Sequence, residues 1–323
     1  MTNNNYLQEL VEKRLKKQLK KFLNFHEKKI KEEKLDPETI HEFRVRIRKI
    51  RSILEEFVNE IRFDISIIES LRKVFRKAGR VRDYDVLIGH WIELRNEYHE
   101  TKKKENENSK KYKEILDFLK DWEKHIEKKR EKKFEEFNEY LNSDKFEDLL
   151  KEIEKLKENL SFKNFYLSDM KTNSIANLVL SKFFKLFSHS YFYVEHDDIY
   201  EIHHFRRQVK RTRYFLEFFK KFYKKSQYKD IIEKLKELQD TTGLLVDYYV
   251  LEKELEKFEN QFIKQNDLIL ETQKIYGMIE SKKDELLKKL YKLKKEFLEL
   301  QEDYVSIIKN ECNLENIKVK EIE

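Results

Sequence analysis

The sequence has few of the residues that end or cross-link secondary structure. Its 323 residues include one cysteine, one proline and four glycines. The single cysteine, Cys312, excludes an internal disulfide framework and a metal cage built from cysteines, and it fits a reducing compartment. Proline and glycine are the usual residues of turns, so their scarcity beside abundant Lys, Glu, Leu and Ile predicts long helices and an all-α protein.

Long apolar segments are also missing. No run of about 18 apolar residues occurs and the residues after Met1 are polar, so the sequence predicts neither a membrane span nor a secretory signal. We therefore expect a cytoplasmic protein. The formal net charge of +7 is small beside 70 basic and 63 acidic residues. Most lysines alternate with glutamates on solvated helix faces, so bulk charge alone identifies no partner.

Arginine is distributed unevenly along the chain. There are 54 Lys and 16 Arg, yet 12 of the Arg lie in the short segments 40–51, 71–87 and 202–213. Arginine can bind two oxygens of one phosphate or carboxylate through parallel hydrogen bonds, whereas lysine presents a compact, strongly hydrated charge. This clustering of arginine in three short segments indicates an anionic partner. The alternative is that these arginines only cap and bridge helices beside Glu and Asp.

The arginine-rich helix occurs twice. Residues 40–51 and 202–213 align without a gap, and each copy opens with Ile-His and continues with cations. Like charges at helical spacing repel, so the repetition favours a polyanionic partner over a stabilising role. In each copy a cationic row at steps of three and four borders the apolar stripe, which predicts a walled groove between helices. The rows are His41, Arg44, Arg48 and Arg51, and His203, Arg206, Lys210 and Arg213.

Both basic helices are predicted to begin at an aspartate. Asp36 precedes Pro37, which predicts a helix from there to about Arg62, and Asp198 occupies the matching place in the second copy. Apolar residues at helical spacing predict the buried stripe of each helix. These are Ile40, Phe43, Ile47, Ile50, Leu54 and Phe57, and then Ile202, Phe205, Val209, Leu216 and Phe219.

A second shared motif follows each basic helix. Residues 71–87 correspond to 235–251, and each copy has a glycine four residues before an aspartate. A glycine after an apolar run predicts a helix C-terminus or tight bend, and the aspartate then predicts the cap of the next helix. The positions are Gly79 and Asp83 in the first copy and Gly243 and Asp247 in the second.

The sequence divides into two related halves. The helical pattern breaks at about residues 159–169, which predicts a first helical bundle half over 1–160 and a second over 161–323 with a C-terminal extension. Residues 102–141 are dense in Lys and Glu with weak apolar periodicity, and they predict a long exposed helical arm. The second half is predicted to open with a helix that carries Lys182 and Lys185.

The two copies of His followed by cations three, seven and ten residues later, each with its later Gly and Asp, resemble the conserved histidine α-helical domain (CHAD) family over about residues 6–300. The resemblance implies two similar four-helix bundles related by a pseudo-twofold axis, with a basic central cleft that binds inorganic polyphosphate. The second motif departs from the first, since Asp240 replaces Arg76, and it is predicted to be mainly structural. The predicted polyphosphate-binding residues are His41, Arg44, Arg48, Arg51, Arg72, Arg76, Lys182, Lys185, His203, Arg206, Lys210, Arg213 and Lys236.

Polyphosphate has no bases, so its binder needs a row of donors and no stacking platform. Successive turns of a helix rise about 5 Å, which suits an extended chain of phosphates. Each contact displaces counterions, so the affinity is predicted to fall steeply with salt. The sequence leaves open whether His41 and His203 contact phosphate or only hydrogen-bond across an interface. Adjacent arginines disfavour a metal ion beside them.

Catalysis has little support in the sequence, which lacks a phosphate-binding glycine loop, a serine nucleophile elbow and an acidic cluster suited to magnesium. The prediction is therefore a non-catalytic protein without a cofactor, located in the cytoplasm and associated with polyphosphate granules and their proteins. One alternative is a metal-assisted phosphohydrolase that acts on polyphosphate or triphosphate. The other is a helical protein that binds nucleic acid, although Phe43 and Phe205 lie on the core face and provide no stacking platform.

Overall fold

The computed structural model describes residues 6–30, 35–104, 110–163, 198–219, 225–262 and 269–312. Within these ranges the protein has eight α-helices, and the predicted all-α class is confirmed. The helices are α1 (Tyr6–Phe25), α2 (Pro37–Glu56), α3 (Ser66–Lys104), α4 (Lys110–Leu141), α5 (Asp144–Glu158), α6 (Ile199–Phe219), α7 (Lys225–Phe262) and α8 (Ile269–Cys312). A π-helical segment, His26–Ile30, follows α1, and the short strands β1 (Ile61–Arg62) and β2 (Ser161–Phe162) pair antiparallel.

The chain forms two compact units. Among the described residues, the first unit contains α1 to α5 together with the end of α7 from residue 255 and the start of α8 to residue 273. The second contains α6 and the remaining parts of α7 and α8. The first unit therefore includes sequence from beyond residue 160, and the linear division at that residue stays a prediction.

Both basic helices begin at the predicted aspartates. The Asp36 side chain accepts a hydrogen bond of 2.6 Å from the backbone N–H of Thr39, and Pro37 opens α2. The Asp198 side chain accepts a hydrogen bond of 2.7 Å from the backbone N–H of Tyr200 at the start of α6. Each carboxylate therefore satisfies a backbone donor that has no partner within its helix. α2 ends at Glu56, before the predicted Arg62, because the chain turns there into β1.

The apolar stripe of each basic helix is buried. Phe43 in α2 is fully buried, and its ring centre lies 5.7 Å from that of Phe22 in α1 and 5.5 Å from that of Phe137 in α4. The packing fixes which side of α2 faces away from the core. The predicted stripe residues that are buried are Ile40, Phe43, Ile47, Ile50, Leu54 and Phe57, and Ile202, Phe205, Val209 and Leu216. The Phe219 side chain lies outside the described part of the chain.

The exposed arm predicted for residues 102–141 is wrong. α4 packs against α3, and the fully buried rings of Trp91 and Trp122 have their centres 4.1 Å apart. Ile126 and Phe137 of α4 are also buried. The prediction failed because long Lys and Glu side chains crowd the outer face of α4 and obscure an apolar stripe with helical spacing.

The bends predicted at the two motif glycines are also wrong. α3 continues through Gly79 and Asp83, and α7 continues through Gly243 and Asp247. None of the four residues ends or caps a helix. A glycine in the middle of a helix weakens it relative to alanine, so these two positions need a different physical reason.

Candidate functional site

The first cationic row lies on α2 beside the buried stripe. Its four residues follow at steps of three, four and three, and the His41 side chain is exposed. Arg44, Arg48 and Arg51 are half-buried beside the apolar stripe. The row therefore borders the core of the first unit.

The guanidinium of Arg44 lies against one face of α3. Its Cζ is 5.0 Å from the ring centre of Phe75, and its Nη1 is 3.9 Å from Oδ1 of Asp83. A Cβ atom on Gly79 would lie 3.6 Å from Nη2 of Arg44. Phe75, Gly79 and Asp83 follow at intervals of four residues, so they share a face of the helix. We call these three residues the Arg44 cradle.

Phe75 also contacts a second arginine of the row. The Cζ atom of Arg51 is 4.9 Å from its ring centre, nearly the same distance as for Arg44. Each cation over an aromatic face gains about 0.5–1 kcal/mol at a partly exposed site. A single ring thus restrains two arginines that are seven residues apart in the row.

Glu55 neutralises part of the first basic face. Its Oε1 lies 3.2 Å from Nε of Arg51 and accepts a hydrogen bond of 3.0 Å from Nε of Arg72. Arg72 also donates a hydrogen bond of 2.6 Å to Glu69. The predicted binding residue Arg72 is therefore already engaged by two carboxylates. Arg76, one turn further along α3, has an exposed side chain.

The second cationic row lies on α6. His203 is exposed, and Arg206, Lys210 and Arg213 are half-buried, as in the first row. Nε of Arg213 lies 3.6 Å from Oε1 of Glu217 one turn later. The two rows therefore repeat the same gradient of burial in separate units. Lys236 is exposed on α7, and the predicted residues Lys182 and Lys185 lie outside the described ranges.

Arg206 lies against the second motif glycine more closely than Arg44 lies against the first. A Cβ atom on Gly243 would lie 3.0 Å from Nη2 of Arg206 and 3.5 Å from its Cζ. Gln239 stands at the position that corresponds to Phe75. The contact between a row arginine and a helical glycine is therefore common to both units. The aromatic ring beside that arginine, Phe75, is present in the first unit, and Gln239 stands at its place in the second.

Both row histidines resist protonation. Partial desolvation lowers the pKa of His41, and the charge of Arg82 lowers it further, followed by Arg48 and Arg44. Glu38 acts in the opposite direction on the same group and raises its pKa. The cations near His41 thus outnumber the acids, which indicates a positive potential at the start of the row.

The histidine of the second row shows the same effect. Partial desolvation lowers the pKa of His203, and the charges of Arg207, Arg206 and Lys210 lower it further. The pKa values of the two histidines are therefore lowered for the same reasons, first partial desolvation and then the charges of nearby cations. An anion bound beside either imidazole would oppose these charges and favour the protonated form.

The sequence interpretation missed several residues that support the rows. Phe75, Glu55 and Arg82 were outside the predicted set, and the glycines were assigned to bends. The four-residue spacing of Phe75, Gly79 and Asp83 on one continuous helix is the signal for these contacts, and the prediction of a bend at Gly79 conceals it. Among the described residues, no group of three or more His, Cys, Asp or Glu is placed to hold a metal ion. No helix in those ranges is long and apolar enough to cross a membrane.

Comparisons with known proteins agree on one fold. The family model described as CHAD domain matches residues 13–256. The chain is similar to the crystal structure of the CHAD domain from the plant Ricinus communis, with a TM-score of 0.58, 19% identity, and 86% of this chain and 84% of that chain covered. It is also similar to PptA from Streptomyces chartreusis, with a TM-score of 0.68, 10% identity, and 88% and 98% covered. At these identities the similarity shows the fold alone. No curated protein matches the chain.

Proposed function

Because the chain belongs to the CHAD domain family, we propose that it binds inorganic polyphosphate without catalysing its hydrolysis, through the cationic rows of α2 and α6. The ligand is the one that the family resemblance implies. The observation that carries the proposal is the pair of cationic rows, in which partial desolvation and then the neighbouring cations lower the pKa of His41 and of His203. Such crowding costs free energy in the absence of a ligand, and a polyanion would remove that cost.

The spacing of the rows suits a linear polyanion. Side chains one turn apart are about 5 Å apart along a helix, so consecutive cations can meet consecutive parts of an extended phosphate chain. The guanidinium groups of Arg44 and Arg51 lie over the ring of Phe75, and that of Arg206 lies against Gly243. These contacts leave the side chains fewer rotamers to lose when a phosphate binds. This arrangement favours a ligand with closely spaced charges along its whole length.

The rows are less suited to single-stranded nucleic acid. Phe43 and Phe205 are fully buried, so neither offers a face on which a base can stack. Phe75 is half-buried and is already in contact with two arginines. Tyr200 is 78% exposed at the start of α6, so its ring is accessible for a base to stack on in a nucleic-acid binding experiment.

The acidic residues of the first motif support binding without catalysis. Asp85 is engaged with Arg130, and Asp83 lies beside Arg44. Both carboxylates thus have cationic partners within the protein. We place the protein in the cytoplasm, with polyphosphate granules and their associated proteins as its setting.

A competition experiment tests the proposal. Labelled long-chain polyphosphate is bound to the purified protein and displaced by unlabelled polyphosphate, RNA of equal total charge, or triphosphate, each at several salt concentrations. We expect polyphosphate to compete best and the logarithm of the binding constant to fall linearly with the logarithm of salt concentration. Stronger competition by RNA, or binding that does not depend on salt, would refute the proposal. Release of orthophosphate in the presence of magnesium would favour the phosphohydrolase instead.

A further inference from the structure

The four glycines of the chain fall into two classes. All lie inside helices, and none has the positive φ that side chains avoid. Nothing lies within 4 Å of a Cβ built on Gly89 or Gly277, whereas Gly79 and Gly243 each face the guanidinium of a row arginine. Since alanine favours a helix more than glycine does, backbone conformation does not account for the second class. The close approach of an arginine side chain accounts for the glycine at both of these positions.

We propose that Gly79 and Gly243 are positioning residues, and that the missing side chain leaves the space in which Arg44 or Arg206 lies against the neighbouring helix. The relevance of this position to a ligand rests on the function proposed above. The space is tighter at Gly243, where the nearest guanidinium atom is 3.0 Å from the Cβ position, than at Gly79, where it is 3.6 Å. An added methyl group at Gly243 requires the guanidinium of Arg206 to shift by a few tenths of an ångström, whereas one at Gly79 makes an ordinary van der Waals contact.

The two units differ in how strongly the position of the row arginine depends on the glycine. In the first unit Phe75 and Asp83 also contact Arg44, so an added methyl group leaves two restraints in place. In the second unit Gln239 replaces the aromatic ring. Among the described residues, the buried Nε of Arg206 has no hydrogen-bond partner. Gly243 is therefore the more sensitive position of the two.

The substitution G243A tests the proposal, with G277A as its matched control. Both replace glycine by alanine inside a helix of the second unit, but only the first places a methyl group against arginine. Arg206 ends in a flexible group that can move away, so we expect G243A to fold with unchanged helicity. We expect its affinity for polyphosphate to fall about threefold to tenfold, as for the loss of one pre-organised side chain. G79A, G89A and G277A should bind within twofold of wild type, about the spread of such measurements.

A double-mutant cycle separates positioning from a general effect on the helix. In the R206K background there is no guanidinium to displace, so adding G243A should cause no further loss of affinity. An equal loss from G243A in the wild-type and R206K backgrounds would overturn the proposal.

An NMR measurement on the protein without ligand tests whether Gly243 positions Arg206, independently of the proposed function. The Nε–H resonance of Arg206, assigned by its absence in R206K, should move in G243A and stay in place in G277A. An unmoved resonance in G243A would also overturn the proposal. If wild-type protein does not bind polyphosphate, the proposed function fails, and this resonance still decides whether Gly243 positions Arg206.

Discussion

Nε of Arg130 in α4 donates a hydrogen bond of 2.8 Å to the carboxylate of Asp85 in α3, and only 3% of the Asp85 side chain is exposed. Asp83, two residues earlier, leaves 73% of its side chain exposed. Residues two apart on a helix face different directions. The motif thus supplies one aspartate that joins two helices and another that lies beside the cationic row.

The substitution D85A should destabilise the protein. It leaves the charge of Arg130, whose side chain is 19% exposed, without its buried partner, and such losses cost about 3 kcal/mol. D83A should change the free energy of unfolding by less than about 1 kcal/mol, because its carboxylate is solvated. Urea denaturation of both variants checks this. Equal losses in D83A and D85A would contradict the assigned roles.

The double substitution R44A/R206A should weaken polyphosphate binding by at least about tenfold, since a hydrogen bond to a charged group contributes about 1.5–3 kcal/mol. The slope of the logarithm of affinity against that of salt concentration should decrease by about two, one for each lost phosphate contact. Helicity should persist, with about 1 kcal/mol of stability lost where Arg44 contacted Phe75.

The variant K17A/K229A is the matched control for that experiment. It removes two exposed charges, one from each unit, outside the rows. A loss of affinity as large as that of R44A/R206A would mean that only total charge matters.

Neutralising Glu55 should strengthen polyphosphate binding. In E55Q the carboxylate that contacts both Arg51 and Arg72 is gone, so both cations become more available to phosphate. Exposed ion pairs contribute up to about 1 kcal/mol, which corresponds to an affinity gain of up to about fivefold. E139Q makes the same change of charge at an exposed position of α4. An equal gain in E139Q would show that the effect is long-range and independent of the ion pairs.

Polyphosphate affinity should rise as the pH falls. The pKa of His41 and that of His203 are lowered from 6.5 by partial desolvation and nearby cations, so both imidazoles are mostly neutral at pH 7. A bound polyanion raises these pKa values, so binding takes up protons and becomes tighter as the pH drops through the lowered values. Titrations with long-chain polyphosphate between pH 8 and pH 5, a range of about one to two units around the usual histidine pKa, measure this.

Stability without ligand should change in the opposite direction. Because each folded-state pKa lies below 6.5, the contribution of the neutral imidazoles is fully present above pH 6.5 and is lost as the pH falls toward the folded values. H41Q/H203Q should flatten both profiles, and H99Q, at an exposed position of α3, should leave them unchanged. Affinity that is insensitive to pH in wild type would remove the histidines from the binding surface.

Much of the fold followed from spacing within single helices. The starts of α2 and α6 at Asp36 and Asp198 and the buried stripe that contains Phe43 depend on neighbours within about two turns of the same helix. The cationic rows follow from the same periodicity. The pseudo-twofold arrangement and the central cleft that the resemblance implies stay predictions.

Other features depended on a residue that is distant in sequence. α4 was predicted to be exposed because its many Lys and Glu obscure its apolar stripe, and the partner of its buried Trp122 is Trp91 on another helix. Gly79 was predicted to bend the chain because nothing nearby in sequence indicates that Arg44 lies against it. In both cases the deciding interaction joins two helices, and the periodicity of one helix does not identify its partner on the other.

The sequence by itself determined the helical class, the positions of the two basic helices and the residues of their cationic rows, because local capping and helical periodicity specify them. Only the tertiary structure decided that Phe75 contacts Arg44 and Arg51, that Glu55 pairs with Arg51 and Arg72, and that Gly243 makes room for Arg206. The physical reason is that these contacts depend on which turn of one helix lies opposite which turn of its neighbour, and that register is set by packing of the whole unit.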